Sequence, residues 1–398
     1  MSRIIFCGPY YNPKIEKDVI KIGKGKINNA SNKFQSALIE GLKSILKSED
    51  LLIINTIPVG TWPNNSNKLV LSSGEWMDGA IRAFEVGCIN LPIIKQLDRE
   101  RRLYNYLKRI VKPGDIVLLY SCYLPFMNAI HRLKNSVHFS IIVTDLPEFY
   151  DLERVSFCKK VLRRINNSAI YKKLQSVDSF VLLTEQMKKP LNVGNRPYTI
   201  IEGIYCDSMD KSSRCFQKKE KKIIFYSGTL HYQFGIQYLL DSFKRLNGDE
   251  YELWICGAGE AADAIKTLAK EDPNIKYFGF CDSKQVAELR EQASVLVNPR
   301  PIEGEYTKYS FPSKTMEYLA SGIPVVMYRL PGIPTEYDDL IYYIDGTDED
   351  SLCRVINKVC SLSNEELQSY SIRAKTFIKE QKNEVVQVGK ILKLINIR

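Results

Sequence analysis

Residues 309–326 read YSFPSKTMEYLASGIPVV. Pro312 suits the first turn of a helix, where its missing N–H is one the helix start leaves unbonded anyway, and Ser310 or a neighbour stands ready to cap it. Gly322 and Pro324 stop the helix after about three turns, and Val325 and Val326 open the next strand. The spacing predicts loop, helix and strand in close succession, as in a parallel α/β sheet. Such a helix aims unbonded N–H groups and the positive end of its dipole at whatever lies before it, and phosphate is the natural guest. Lys314 stands in that first turn against the dipole's preference for acids, which points to a bound anion. Glu317 follows on the same helix; its side chain leans toward the N-terminal end, where its carboxylate can accept hydrogen bonds from vicinal hydroxyls. A glutamate on an isolated surface helix is otherwise more often simply solvated.

Short apolar runs alternate with amphipathic stretches in both halves of the 398 residues, the pattern of parallel sheets with crossover helices. Strands are predicted at Ile4–Cys7, Leu51–Asn55, Ile116–Tyr120, His138–Val143 and Ser179–Leu183 in the first half. In the second they are predicted at Ile223–Tyr226, Glu252–Cys256, Ile275–Phe278, Val295–Val297, Pro324–Met327 and Ile341–Tyr343. Cys206 to Lys222 is polar, rich in lysine and serine, and without hydrophobic period, so it reads as a boundary. The expected organisation is an N-terminal domain at 1–204, a second at 205–368, and a helical segment at 369–398 that packs on one of them. The predicted fold class is α/β, with two doubly wound domains.

Hydrophobic residues make up 44% and charged residues 26%, which excludes disordered and fibrous classes. A formal charge of +10 favours acidic partners without separating nucleotides, nucleic acids, anionic lipids and diphosphate-linked substrates. The ten cysteines are scattered, the nearest pair being Cys353 and Cys360, so neither a zinc-type nor a redox C-x-x-C pair exists and no metal is expected. Cys7, Cys256 and Cys281 lie in or beside apolar runs and read as small buried hydrophobes of a reducing compartment, the cytosol. Gly8, Pro9 and Pro13 interrupt the N-terminus before a signal-length apolar run forms, and no other run approaches a membrane span.

Two basic stretches stand out. From Arg154 to Leu174, apolar Phe157, Val161, Ile165 and Ala169 recur every four residues among Lys159, Lys160, Arg163, Arg164, Lys172 and Lys173. Arg99 to Lys112 is similar but mixed with acids. Solvated surface helices are one reading; docking to an anionic membrane, at about 1 kcal/mol per cation near the surface, is another. Nucleic-acid binding is not expected, because no aromatic stacking residues are interleaved with the charge.

The string FPSKTMEYLASGIPVV resembles the donor-binding signature of retaining glycosyltransferase family 4, in the variant of bacterial exopolysaccharide and lipid-linked oligosaccharide transferases. The resemblance implies a GT-B fold, two Rossmann-like domains facing across a cleft. It also implies retention of configuration, metal-independent catalysis, no cofactor beyond the nucleotide-sugar co-substrate, and ribose binding by Glu317. Tyr226 to Leu230 (YSGTL) resembles the family's first strand-turn, Ile255 to Glu260 (ICGAGE) its G-x-G-E turn, and Phe278 to Phe280 the loop that meets the base. Donor-binding candidates are therefore Gly228, Thr229, Gly257, Phe280, Arg300, Ser310, Phe311, Ser313, Lys314 and Glu317. Gly228 and Thr229 let the backbone approach a diphosphate. His231 reads as an acid or base, or as an ordinary loop residue.

The sequence departs from the family at two points. The family motif has a second glutamate eight positions before Glu317, where this chain has Tyr309; Glu303 and Glu305 lie nearby. Thr229 and Phe234 stand where many relatives have Arg and Lys, which leaves Lys314, Arg300 and the helix start to neutralise the leaving diphosphate, with Lys314 as the catalytic candidate. In the first half, Asp145 after a strand either orients an acceptor hydroxyl as the second catalytic candidate or caps a turn.

The expected activity is transfer of a sugar to a saccharide acceptor, lipid-linked given the basic stretches, in bacterial surface polysaccharide synthesis, in the cytoplasm or at the inner face of the membrane. A nucleotide-sugar epimerase and a silent partner subunit are the alternatives. A dinucleotide oxidoreductase is not expected, since no G-x-G-x-x-G follows the first strand.

Overall fold

The computed structural model describes residues 2–25, 29–149, 157–206, 221–346 and 348–396. Most of the expected polar boundary, at 207–220, lies outside them, as do Arg154 and the side chains of Phe157 and Lys159. The chain divides into two compact units, Met1–Ile204 with Glu384–Arg398, and Tyr205–Asn383.

The first unit contains β1 (Ile4–Gly8), α1 (Glu16–Ile22), α2 (Asn29–Ile45), β2 (Leu51–Asn55), β3 (Val70–Leu71), β4 (Gly74–Asp78), β5 (Ile81–Glu85), β6 (Cys88–Ile89) and α3 (Ile94–Ile110). It continues with β7 (Asp115–Tyr120), α4 (Leu124–His131), β8 (Val137–Val143), α5 (Phe157–Leu174), β9 (Ser179–Leu182) and β10 (Tyr198–Ile200). Its main sheet runs β10-β9-β8-β7-β1-β2-β5-β4, parallel except for the β4–β5 hairpin, while β3 and β6 pair apart. Ile4, Ile5, Phe6 and Cys7 are wholly buried, as a continuous apolar run covered on both faces requires. The five strands predicted here are present. The β4–β5 edge and β10 were not predicted, because Glu75, Asp78, Arg82 and Glu85 break up the apolar pattern of the first and β10 is only half buried.

The second unit contains β11 (Lys222–Ser227), α6 (Ile236–Phe243), β12 (Tyr251–Cys256), α7 (Ala262–Glu271), β13 (Ile275–Tyr277), α8 (Ser283–Arg290), β14 (Val295–Asn298) and α9 (Lys314–Ser321). After these come β15 (Val325–Met327), β16 (Ile341–Tyr343), α10 (Glu349–Cys360) and α11 (Asn364–Gln381). All six strands predicted for this half are found. The sheet order is β13-β12-β11-β14-β15-β16, with every pairing parallel. Strand order reverses between β11 and β14, so the loops after these two strands flank the crevice where open α/β sheets bind ligands.

The units do not part at 369. The α11 helix stays with the second unit: the Tyr370 hydroxyl donates to the Leu340 carbonyl at 2.8 Å and accepts from the Val325 amide at 3.2 Å. Only α12 (Glu384–Leu394) returns to the first unit, where Val388, Ile391 and Leu392 join Leu38 and Leu42 in its core.

The two basic stretches differ once folded. On α5, Ile170 and Leu174 are buried, whereas Val161, Leu162 and Ile165 are 41%, 65% and 63% exposed beside the cations. Arg99 on α3 departs from the surface reading, since it is only 4% exposed.

Candidate functional site

The helix that carries the signature, α9, has eight residues, just over two turns rather than three. It starts at Lys314, after Pro312 and Ser313, and Ser313 caps it without a side-chain bond. Ser310 does not cap it either: its hydroxyl accepts from Arg300 Nη2 at 3.0 Å and donates to the Tyr306 carbonyl at 3.1 Å. The helix ends at Gly322, which has a φ of 71°, the left-handed stop that glycine adopts without strain.

Tyr318, buried, fixes this helix against the end of β11. Its hydroxyl accepts from the Ser227 amide at 3.1 Å and lies 3.3 Å from the Ser227 hydroxyl. The helix start is thereby held next to the β11 loop. On its exposed side the Lys314 ammonium donates to the Glu317 carboxylate at 2.9 Å, with both side chains about one-third exposed. Lys314 is thus a cation already paired within its own helix. Phe311 is buried against Tyr337, with ring centroids 5.3 Å apart, and Ser313 is exposed.

The loops after β11 and β12 are zipped together. The Gly228 amide donates to the Cys256 carbonyl at 3.1 Å, Leu230 to Ala258 at 2.9 Å, and Gly257 to Gly279 at 2.8 Å. Gly257 has a φ of 145°, and a Cβ there would lie 1.9 Å from the Gly228 carbonyl oxygen, so no other residue fits without moving the β11 loop. Gly257 therefore braces Gly228. The Thr229 carbonyl accepts from the Tyr226 hydroxyl at 3.0 Å, and the Thr229 side chain is exposed. Phe280 is 76% exposed. His231 lies 3.5 Å from Glu260, whose carboxylate also accepts from the Tyr232 amide at 3.0 Å.

Arg300, after β14, crosses to the β11 loop. Its guanidinium lies 4.7 Å from the Tyr306 ring centre and 5.5 Å from that of Phe234. A cation thus stands over the position where the sequence lacks one, supplied by the neighbouring strand. Tyr309 donates to Glu305 Oε1 at 3.4 Å. Burial raises the Tyr328 phenol to about 12, and the charges of Tyr238, Glu303 and Asp348 add to the rise. Ser227, Tyr306 and Tyr318 were missed by sequence reasoning, since only the folded sheet brings them to this corner.

In the first unit, Asp145 is exposed just after β8. Its charge adds to the rise of the buried Tyr120 phenol, which burial pushes to about 12 against hydrogen bonds from Ser31 and Thr144. Among the described residues no group of three or more His, Cys, Asp or Glu side chains is placed to hold a metal ion. No helix among them is long and apolar enough to cross a membrane.

The chain is similar to several known proteins. The family described as "Glycosyl transferases group 1" matches residues 209–377. An uncharacterized glycosyltransferase of Methanocaldococcus jannaschii is 29% identical over 118 residues, a match that covers 29% of this chain and 29% of that protein. The α,α-trehalose 6-phosphate synthase of Burkholderia multivorans superposes with a TM-score of 0.67 at 12% identity, over 100% of this chain and 98% of its own. Anabaena HepE, solved in complex with UDP, superposes with a TM-score of 0.64 at 11% identity, over 99% of each chain. The chain therefore has the GT-B fold, and its residues 209–377 match the group 1 glycosyl transferase family.

Proposed function

We propose that the chain transfers a sugar from a nucleoside diphosphate donor to a saccharide acceptor, with retention of configuration, in the synthesis of a bacterial surface polysaccharide. The observation that carries this reading is the Lys314–Glu317 pair at the start of α9, next to the β11 loop, with the Arg300 guanidinium reaching the same loop. Glu317 accepts hydrogen bonds from the ribose hydroxyls. Lys314 and Arg300 face the diphosphate, and the close-packed Gly228–Thr229 backbone admits it without a side-chain clash. As the sugar–phosphate bond breaks, negative charge builds on the departing diphosphate, and cations fixed beforehand stabilise it more than they stabilise the bound donor. Glu305, held by Tyr309, takes the place of the family's first glutamate. Ser310 and Phe311 shape the entry to α9, exposed Ser313 at the helix start meets the donor, Gly257 braces the β11 loop, and exposed Phe280 faces the base. Asp145 in the first unit orients the acceptor hydroxyl. That HepE was solved with UDP supports a nucleotide at this fold's donor site.

The test is a donor screen that follows release of nucleoside diphosphate from UDP-, GDP-, ADP- and TDP-sugars, with and without oligosaccharide acceptors. One donor consumed only when an acceptor is present supports transfer. A free epimerised donor formed without acceptor would establish the epimerase instead, and no turnover of any donor would favour the silent subunit.

A lipid-linked acceptor places the chain at the cytoplasmic face of a membrane. The exposed Val161, Leu162 and Ile165 of α5, with Lys160, Arg163 and Arg164 around them, match an anionic lipid surface. Flotation with vesicles containing phosphatidylglycerol is expected at low salt, with Leu162→Asp and Ile165→Asp each reducing it. Absence of flotation at low salt would refute the membrane arm while leaving transfer intact.

A further inference from the structure

Two cations of the first unit are buried without an acidic partner among the described residues. Lys95 and Arg99, one turn apart on α3, are 8% and 4% exposed. Both line a cavity of about 350 Å³ together with Pro9, Thr56, Thr61 and Ser121. Pro9, Thr56 and Ser121 follow β1, β2 and β7, so the cavity opens at the carboxyl ends of the strands where this sheet's order reverses.

The two cations have carbonyl and hydroxyl partners but no acid. The Lys95 ammonium donates to the Val59 carbonyl. Arg99 donates to the Ile57 carbonyl at 2.9 Å and to the Tyr123 hydroxyl at 3.2 Å. Neither forms an ion pair among the described residues, and the buried Nε of Arg99 has no hydrogen-bond partner there. Glu85 is close enough to feel the Arg99 charge but makes no ion pair with it. Burial and the neighbouring Arg99 pull the Lys95 ammonium down to about 8, as expected of a desolvated cation short of counter-charge. Bracing the loop at 57–59 needs donors, not two positive charges, and buried charges are ordinarily paired. Both residues also lie near the N-terminal end of α3, where the helix dipole disfavours cations and favours an anion.

We propose that this cavity binds a phosphate group, held by Lys95 and Arg99 with the Thr56 and Thr61 side of the cavity around it, and that it anchors a phosphorylated acceptor. The anchoring of an acceptor rests on the transfer reading; the phosphate site does not. Ile93, Ile94 and Leu97, beside Lys95 on the same helix, are 77%, 44% and 63% exposed, so a lipid phosphate and a sugar phosphate are both sources to test.

The experiment is thermal denaturation of the full chain in potassium phosphate against potassium chloride at equal ionic strength. Phosphate is expected to raise the midpoint of the wild type. Lys95→Gln and Arg99→Gln are expected to weaken its affinity about tenfold or more, the effect of losing a charged hydrogen bond. Both residues brace a loop, so Gln96→Glu serves as the second variant: it puts a carboxylate at the exposed rim, leaves the bracing bonds in place, and is expected to weaken phosphate by a similar factor. Competition by a hexose 6-phosphate, or by vesicles containing phosphatidic acid, identifies the source, and either supports the site. No stabilisation beyond chloride, or unchanged phosphate affinity in Gln96→Glu, would overturn it. Nucleoside diphosphate binding unaffected by these variants separates the site from the donor site. Loss of nucleotide binding in the wild type with phosphate binding retained would sink the transfer reading and leave this site standing.

Discussion

Replacing Lys314 by methionine is expected to lower kcat roughly 10²–10³-fold, the usual effect of removing one preorganised group from a developing oxyanion. Methionine keeps much of the side-chain length and removes the charge. The fold has little to lose, because the Lys314–Glu317 pair is one-third exposed and an i,i+3 pair of this kind contributes only about 0.2–0.5 kcal/mol. Steady-state kinetics beside thermal denaturation separates the outcomes. A loss in kcat at unchanged stability places Lys314 on the departing diphosphate. A loss confined to KM would place it in uniform binding of the donor, and no kinetic loss would remove it from the site.

Replacing Glu317 by alanine is expected to weaken nucleoside diphosphate binding by about 10–100-fold, since hydrogen bonds to a charged group contribute roughly 1.5–3 kcal/mol. Glutamine keeps the shape and an acceptor oxygen and should fall between. Glu317 and Lys314 touch, so the double variant should lose less than the sum of the single losses in binding. Additive losses would mean that the two side chains act on separate ligands.

The strands read most plainly in the sequence are the central parallel ones. Ile4 to Cys7, Leu51 to Asn55 and Ile223 to Tyr226 are buried on both faces and so appear as unbroken apolar runs. The β4–β5 hairpin could not be read in this way, because an edge with one wet face mixes Glu75, Asp78 and Arg82 into the pattern. The start of α9 was misplaced for a related reason. Ser310 has the chemistry of a cap, but Arg300 and the Tyr306 carbonyl engage its hydroxyl, and both partners belong to a loop whose path the sequence does not state.

The signature made Lys314 and Glu317 candidates, yet their mutual pairing is a matter of rotamers. Arg300 was named as a substitute cation, but its position over Phe234 follows from the neighbouring places of β11 and β14 in the sheet. Arg99 shows the opposite failure. In the sequence it belongs to a run of five charged residues, Asp98 to Arg102, and reads as solvated, while the helix turns it alone of the five fully inward.

The measurement that tests the account most directly is calorimetric titration of UDP, GDP, ADP and TDP into the wild type and into Glu317→Ala. The account predicts that one nucleotide binds the wild type and that its affinity falls about 10–100-fold in the variant, with the thermal midpoint of the free protein nearly unchanged. Binding of equal strength to both proteins, or of no nucleotide to the wild type, would contradict it.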